Sequence, residues 1–161
     1  MIKIEHPLIG PLEYEEESVI TFQEGIIGLE ENKRWLLLQN PKHQPFQWLQ
    51  SIDNPEITLM VIDPWIVRTD YSLSISPEDQ ARVNLDHLPE RQDWAVLCVV
   101  VFQNSLEETI INLKAPLLFD LKERKGRQVI MEGEEYQVEE PLFSESARRD
   151  RSDKTGGCML M

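Results

Sequence analysis

Residues 45–64 constrain the possible folds most, because two short apolar runs stand there on either side of a turn sequence. Residues 46–52 and 57–62 are short and rich in aromatic and aliphatic residues, which predicts two strands. The sequence Asp-Asn-Pro-Glu over residues 53–56 favours a turn, because Asp and Asn bond to their own backbone and proline cannot donate to a sheet ladder. We therefore expect a rigid turn that leaves Ser51, Asp53, Asn54 and Glu56 polar and exposed.

The rest of the chain contains further short strand patterns joined by turn residues. The strongest is residues 94–102, a nearly continuous β-branched and apolar run that predicts a central strand. A short helix is predicted from Pro77, since Ser76 fits the N-cap position, and one helical turn is predicted at residues 30–33. Together these patterns predict an all-β, mainly antiparallel, small β-barrel-like single domain with one short helix, or a sandwich. Weaker strand patterns cover residues 1–4, 12–14, 18–22, 35–38, 71–76, 109–113, 117–121, 128–131 and 136–138.

The end of the chain differs from the rest. Apolar residues become scarce from Ser144, which predicts a folded domain over residues 1–143 and a flexible tail over residues 144–161. The last four residues, from Cys158, have the form of a prenylation box, a pattern loose enough to recur by chance. Cys98 lies in an apolar run and is predicted to be a buried thiol, so no disulfide is expected and the cysteine usage fits a reducing cytosol.

The charge limits the possible partners. The chain has 16 basic and 29 acidic residues, a net charge of −13. The tail carries four basic and three acidic residues, so residues 1–143 carry −14. Such a body repels a phosphate backbone, which disfavours direct nucleic-acid binding, and it attracts a basic partner. That the charge serves only solubility remains an alternative.

The sequence shows no recognisable pattern for catalysis, for a cofactor or for a metal. His6, His43 and His87 do not stand at metal-ligand spacing, and the sequence contains no HExxH, CxxC or GxSxG motif. Gly25 and Gly28 indicate positive-φ corners or close packing rather than a phosphate loop. The tryptophans favour core packing, except that Trp65, next to Pro64, is predicted to be a surface anchor.

Four segments carry a family resemblance. In chain order they are Phe22-Gln-Glu-Gly-Ile-Ile-Gly-Leu-Glu30, then Pro45-Phe46 with Leu49-Gln-Ser51 and Pro55, then Asn112-Leu-Lys-Ala-Pro116, and finally Arg124-Lys-Gly-Arg-Gln-Val-Ile130. In order and spacing this pattern resembles the flagellar assembly factor FliW family over about residues 2–142. The third and fourth segments are the most specific part.

The resemblance implies a bacterial cytoplasmic protein with no catalysis and no cofactor, expected to be monomeric when free and to avoid membranes. Members of that family bind flagellin and, in alternation, the RNA-binding translational regulator CsrA. When flagellin is secreted, the freed protein captures CsrA and relieves its repression of flagellin mRNA translation. The acidic body suits a partner that holds RNA on a basic surface. Capture by covering that surface and capture from another site both stay open.

We predict that the turn and its neighbours form part of the partner-binding surface. The alternative is that Asn54 and Pro55 only shape a hairpin. Residues 112–116 and 124–128, with Gly25 and Gly28, are predicted to be structural. The residues of the predicted surface are Phe46, Gln50, Ser51, Asp53, Asn54, Pro55, Glu56 and Trp65.

Two functions of other classes compete with this interpretation. A metal-dependent β-barrel enzyme would contain stoichiometric zinc or iron after purification. A small-ligand-binding barrel that acts as a sensor would enclose a sizeable apolar cavity.

Overall fold

A computed structural model of the chain describes residues 2–6, 10–74, 77, 94–102 and 105–142. These residues form short strands linked by tight turns. Residues 64–67 form a four-residue α-helix, Pro77 is also helical, and 3₁₀ turns stand at Glu16–Ser18, Pro41–His43 and Leu106–Glu108. The elements are β1 Ile2–His6, β2 Gly10–Tyr14, β3 Ile20–Thr21, β4 Arg34–Gln39, β5 Gln47–Ser51, β6 Thr58–Ile62, α1 Pro64–Val67, β7 Trp94–Val101, β8 Ile110–Ile111, β9 Leu117–Asp120, β10 Lys125–Gln128 and β11 Glu140–Pro141.

Seven strands close into a barrel. Their order is β7-β6-β5-β4-β3-β10-β9, and β9 pairs again with β7. The pairings around the ring are antiparallel except between β3 and β10, where Thr21 lies beside Lys125. The ring confirms the predicted antiparallel barrel and is incompatible with a sandwich. Outside the ring, β8 and β11 extend the sheet from the end of β7, and β1 and β2 form a separate hairpin.

The central position of β7 explains why its sequence is apolar throughout. Leu97 faces the barrel interior, whereas its neighbours Val96 and Cys98 belong to a second cluster outside the barrel. Both faces of the strand are therefore covered, and a strand covered on both faces does not alternate in polarity. The interior is filled by side chains, as is usual in small barrels. The interior cluster consists of Ile20, Phe22, Ile26, Trp35, Leu49, Val61, Leu97, Leu117 and Phe119.

Two further clusters cover the outside of the barrel. In the larger one, α1 and residues 129–142 pack over β6, β7 and β9 through Trp65, Val129 and Met131. In the smaller one, the β1–β2 hairpin packs through Leu12 and Tyr14 against Leu36 of β4. The interior cluster and the two outer clusters therefore cover much of both faces of the sheet.

The predicted strand at residues 71–76 is wrong in its described part. Residues 71–74 form no ladder, because their backbone and side chains bond to other groups. The Tyr71 hydroxyl donates to the Leu113 carbonyl at 2.8 Å, and the Ser72 N–H donates to the Tyr136 hydroxyl at 3.0 Å. The alternation in the sequence arises because Tyr71 and Leu73 face the outer cluster.

Some predicted boundaries are also wrong. The strand predicted at residues 128–131 begins at Lys125 instead, because the turn occupies residues 121–124, where Arg124 has a φ of 57°. The final edge strand is Glu140–Pro141 rather than residues 136–138. Residues 30–33 form no helix. The strand predicted at residues 12–14 begins earlier, because Gly10 and Pro11 lie inside β2. The predicted helix beyond Pro77, the tail and Cys158 lie outside the described residues.

None of the helices formed by the described residues has the length and apolar character needed to cross a membrane.

We predict that Gly126→Ala destabilises the barrel. A Cβ at this position in β10 would stand 2.3 Å from two ring carbons of Phe22, which fills the interior. The substitution should lower the free energy of unfolding by about 2 to 3 kcal/mol, as overpacking of a core does. Urea unfolding of the purified variant measures this change.

The double variant Gly126→Ala/Phe22→Leu is the control. Removing the ring relieves the clash, so the double variant should lose less stability than the two single losses combined. An unfolding midpoint of Gly126→Ala equal to that of the unaltered protein would contradict the close approach.

Candidate partner-binding site

The predicted turn is present and is held by two buried polar side chains. Gln50 is fully buried, and its Nε2 lies 2.9 Å from the carbonyl oxygens of Ser51 and Pro55. The Ser51 hydroxyl donates to Asn32 Oδ1 at 2.7 Å and accepts the Asn54 N–H at 3.0 Å. Both side chains therefore fix the turn from its inner side, and neither is free to contact a partner.

Asp53 fastens the turn to the neighbouring connection between β3 and β4. Its Oδ2 accepts the backbone N–H groups of Lys33 at 2.7 Å and Arg34 at 3.1 Å, and its Oδ1 accepts Nε of Arg34 at 3.1 Å. Burial alone would raise the pKa of Asp53, but these three hydrogen bonds together hold the pKa below its ordinary value. The carboxylate is therefore a structural anchor that stays charged at neutral pH.

The tip of the turn is exposed. Asn54 accepts the Glu56 N–H on its side-chain oxygen at 3.1 Å, and its carbonyl accepts the Ile57 N–H at 3.0 Å, which closes the turn. Asn54, Pro55 and Glu56 are all exposed. Asp53 is exposed as well, so these four residues are the part of the turn that a partner can reach.

The structure corrects the expected exposure of Ser51, which has no accessible surface. Asn and Pro were sound indicators of a turn, but the sequence did not show that Asn32 would cover the serine hydroxyl. Gln50 was also included in the predicted surface, and it is buried because the backbone of residues 55–57 folds over it. Their role is to shape the surface from beneath.

Phe46 and Trp65 do not join the turn. Phe46 precedes β5 and Trp65 follows β6, so a five-residue strand separates each of them from the turn, roughly 17 Å along the strand. Phe46 is buried and packs on Phe102, with ring centroids 5.8 Å apart. Trp65 is half-buried in the larger outer cluster, where its Nε1 donates to the Tyr71 carbonyl at 2.7 Å. The burial of both aromatic residues favours packing over surface anchoring.

The turn shares one end of the barrel with three other segments, and we call this the loop end. It consists of residues 22–33, 51–57, 112–116 and 128–130. Residues 22–33 touch the turn through Asn32 and touch β10 through Ile27, whose N–H donates to Gln128 Oε1 at 2.8 Å. Gln128 Nε2 in turn donates to the Ala115 carbonyl at 3.0 Å. Hydrogen bonds thus link all four segments of the loop end.

Comparisons with known proteins identify the family. The family model described as FliW protein matches residues 3–142. The chain belongs to the FliW family. A flagellar assembly factor FliW from Caldanaerobacter subterraneus subsp. tengcongensis is 36% identical over 137 residues, which cover 84% of this chain and 89% of the relative. One from Clostridium botulinum is 32% identical, covering 86% of this chain and 94% of the relative.

A solved FliW structure shares the fold of this chain. The crystal structure of the flagellar assembly factor FliW superposes with a TM-score of 0.78 and 28% sequence identity, covering 89% of this chain and 99% of that one. The four segments that carried the resemblance in the sequence are therefore parts of a FliW fold. Most of their residues lie at the loop end, including Gly25, Gly28 and Gln128, for which the sequence predicted only structural roles.

Groups suited to chemistry are scarce in the part of this FliW chain that the structure describes. No cluster of three or more His, Cys, Asp or Glu side chains stands close enough there to hold a metal ion. Cys98 is fully buried, and burial raises the pKa of its thiol to about 12, so it stays protonated at neutral pH and cannot act as a nucleophile.

We predict that Asp53→Asn lowers the free energy of unfolding at neutral pH by about 1 to 2 kcal/mol. The amide cannot match a carboxylate that accepts three hydrogen bonds. Because the folded-state pKa of Asp53 is lowered, its contribution is present above the unfolded pKa of about 3.9 and is lost as the pH falls through the folded value. The variant should therefore lose less stability on acidification than the unaltered protein, as measured by urea unfolding between pH 7 and pH 3.

Glu56→Gln is the matched control for this measurement. It removes an exposed carboxylate from the same turn, whereas the turn is held by the backbone N–H of Glu56 rather than by its side chain. Equal stability of Asp53→Asn and Glu56→Gln at pH 7 would show that Asp53 does not anchor the turn.

Proposed function

We propose that the protein is a non-catalytic flagellar assembly factor that acts in the cytoplasm through protein–protein contacts. It binds flagellin and, once released from flagellin, binds the translational regulator CsrA and relieves its repression of flagellin mRNA translation. The observation that carries this proposal is the FliW family match over residues 3–142, together with relatives named flagellar assembly factor FliW that align over most of their own length.

The charge supports the proposed choice of partners. Residues 1–143 carry −14, and exposed acids occur on several connections, including Glu15, Glu31 and Glu56. An acidic surface raises the association rate of a basic partner and disfavours contact with RNA itself. The protein can thus compete for an RNA-binding regulator without binding the RNA.

The interior of the barrel gives no support to the small-ligand alternative. Side chains from six of the seven strands meet there, and the rings of Phe22 and Phe119 pack edge to face with centroids 5.5 Å apart. The metal-dependent alternative likewise finds no ligand cluster among the described residues. Binding through the outer loops agrees better with this filled interior.

Titration calorimetry with purified flagellin and with purified CsrA tests the proposal. Each titration should give saturable heat in dilute buffer, and prior saturation with flagellin should abolish the heat with CsrA. A translation assay on flagellin mRNA with CsrA present should recover when the protein is added. Absence of heat with both partners would overturn the proposal.

We predict that Glu56→Lys weakens CsrA binding by about threefold to tenfold at low salt, because it reverses an exposed charge that faces a basic partner. The loss should shrink as the salt concentration rises, since salt screens exposed charges. Calorimetry at about 50 mM and about 300 mM salt measures both effects. Glu56 is preferable to Asp53 for this test, because reversing Asp53 also removes the anchor of the turn.

Glu139→Lys provides the matched control. Like Glu56→Lys, it replaces one exposed acid by a base, but Glu139 lies outside the loop end. An affinity of Glu56→Lys equal to that of Glu139→Lys at low salt would remove the turn from the interface.

A further inference from the structure

Gln128 joins three of the segments that define the loop end. Its Oε1 accepts the Ile27 N–H at 2.8 Å and its Nε2 donates to the Ala115 carbonyl at 3.0 Å. Close by, Gly126 packs directly against the Phe22 ring, and the Arg127 guanidinium lies 3.4 Å from the Glu24 carboxylate. Residues 22–30 are therefore fastened to β10 at several points.

Two isoleucines remain exposed at this junction. Ile27 is 61% exposed and Ile130 is 54% exposed. Beyond β10 the chain stays extended, because Val129 N–H donates to the Pro116 carbonyl and Met131 N–H to the Lys114 carbonyl. Val129 and Met131 are buried in the outer cluster, so Gln128 and Ile130 share the opposite face. Ile130 then lies about 7 Å beyond the residue that binds Ile27.

The exposure of Ile27 belongs to a well-fixed loop rather than to a loose one. Gly25 has a φ of 76°, and a Cβ there would stand 2.8 Å from Glu30 Cα, so the loop is closed tightly. Gly28 has a φ of 88°, its N–H donates to the Glu30 carboxylate at 3.1 Å, and a Cβ built on it would meet open space. The loop thus holds an aliphatic side chain and an accessible stretch of backbone outward in a defined position.

Acidic residues stand close to the two isoleucines in the sequence. Glu24, Glu30 and Glu31 are exposed on the loop of Ile27, and Glu132, Glu134 and Glu135 are exposed after Ile130. Of the nearby cations, Arg127 pairs with Glu24, and the Lys33 ammonium donates to the Gln23 carbonyl. An apolar centre with an acidic border complements a protein segment in which aliphatic side chains are flanked by Lys or Arg, and it repels anionic lipid and nucleic acid.

We infer that Ile27 and Ile130 form the apolar centre of the docking surface for the basic partner, CsrA. The inference rests on the proposed function and deepens it by naming the surface that this partner uses. Aliphatic side chains of CsrA pack on the two isoleucines, and its basic residues face the surrounding acids. The isoleucines govern how long the complex lasts, and the acids govern how fast it forms.

The double variant Ile27→Ser/Ile130→Ser tests the apolar centre. We expect the Kd for CsrA to rise at least about tenfold, because the complex dissociates faster. This rise in Kd should be nearly the same at low and at high salt. Val138→Ser is the matched control, because Val138 is 55% exposed elsewhere on the surface and its loss should change the Kd less than about twofold. Urea unfolding of each variant confirms that the fold is kept.

The double variant Glu31→Lys/Glu132→Lys tests the acidic border. It should lower the association rate for CsrA, and the loss should disappear at high salt. Surface plasmon resonance at two salt concentrations separates this effect from the change in dissociation rate.

The results distinguish this inference from the proposed function. If the unaltered protein binds CsrA and the Ile27→Ser/Ile130→Ser variant binds it equally well, the docking surface is overturned while the proposed function stands. The same holds if sedimentation shows that the patch joins two copies of this chain and the variant only abolishes that association. If the unaltered protein binds neither CsrA nor flagellin, the proposed function itself fails.

Discussion

The fold depends on β7, which forms ladders with three other strands. One edge of β7 pairs with β6, and the other edge pairs with β9 near its start and with β8 near its end. The pairing with β9 closes the ring, so each of the seven strands has a paired neighbour on both sides. A closed ring removes the unpaired edges through which sheets aggregate. It also gives the sheet an inner and an outer face that must both be covered. The interior cluster covers the inner face, and the outer clusters cover the outer face.

The closed barrel limits where accessible polar surface can lie. Its interior is filled and its outer faces are largely covered, so the connections at its ends carry most of the accessible polar surface. At the loop end these connections are tied together by side chains rather than by ladders. Asp53 and Ser51 bind the connection between β3 and β4, and Gln128 binds Ile27 and Ala115. Side-chain hydrogen bonds therefore hold these loops together, and a loop that is already held in place loses less entropy when a partner binds.

The same residue types serve two purposes at this end of the molecule. Asp53 and Glu56 are separated by two residues in the sequence, yet the first anchors the turn and the second faces outward. Gln50 and Gln128 both act as internal braces. A charged or amide side chain in a turn is therefore no guide to a binding role until its hydrogen bonds are known. The exposed isoleucines are more informative, because exposing them gains nothing for the isolated fold.

Local sequence patterns were enough to predict the class of fold, the family and the approximate position of most strands. Those features follow from local properties, since short apolar runs, turn residues such as Asn54 and Pro55, and the spacing of four segments can be recognised without contacts. The tertiary structure decided which polar residues are buried, where β10 and β11 begin and which segments meet. Ser51 is covered by Asn32, 19 residues away, and Ile27 is fastened to Gln128, 101 residues away. Such contacts arise from closure of the ring, and closure is a property of the whole chain that no local pattern contains.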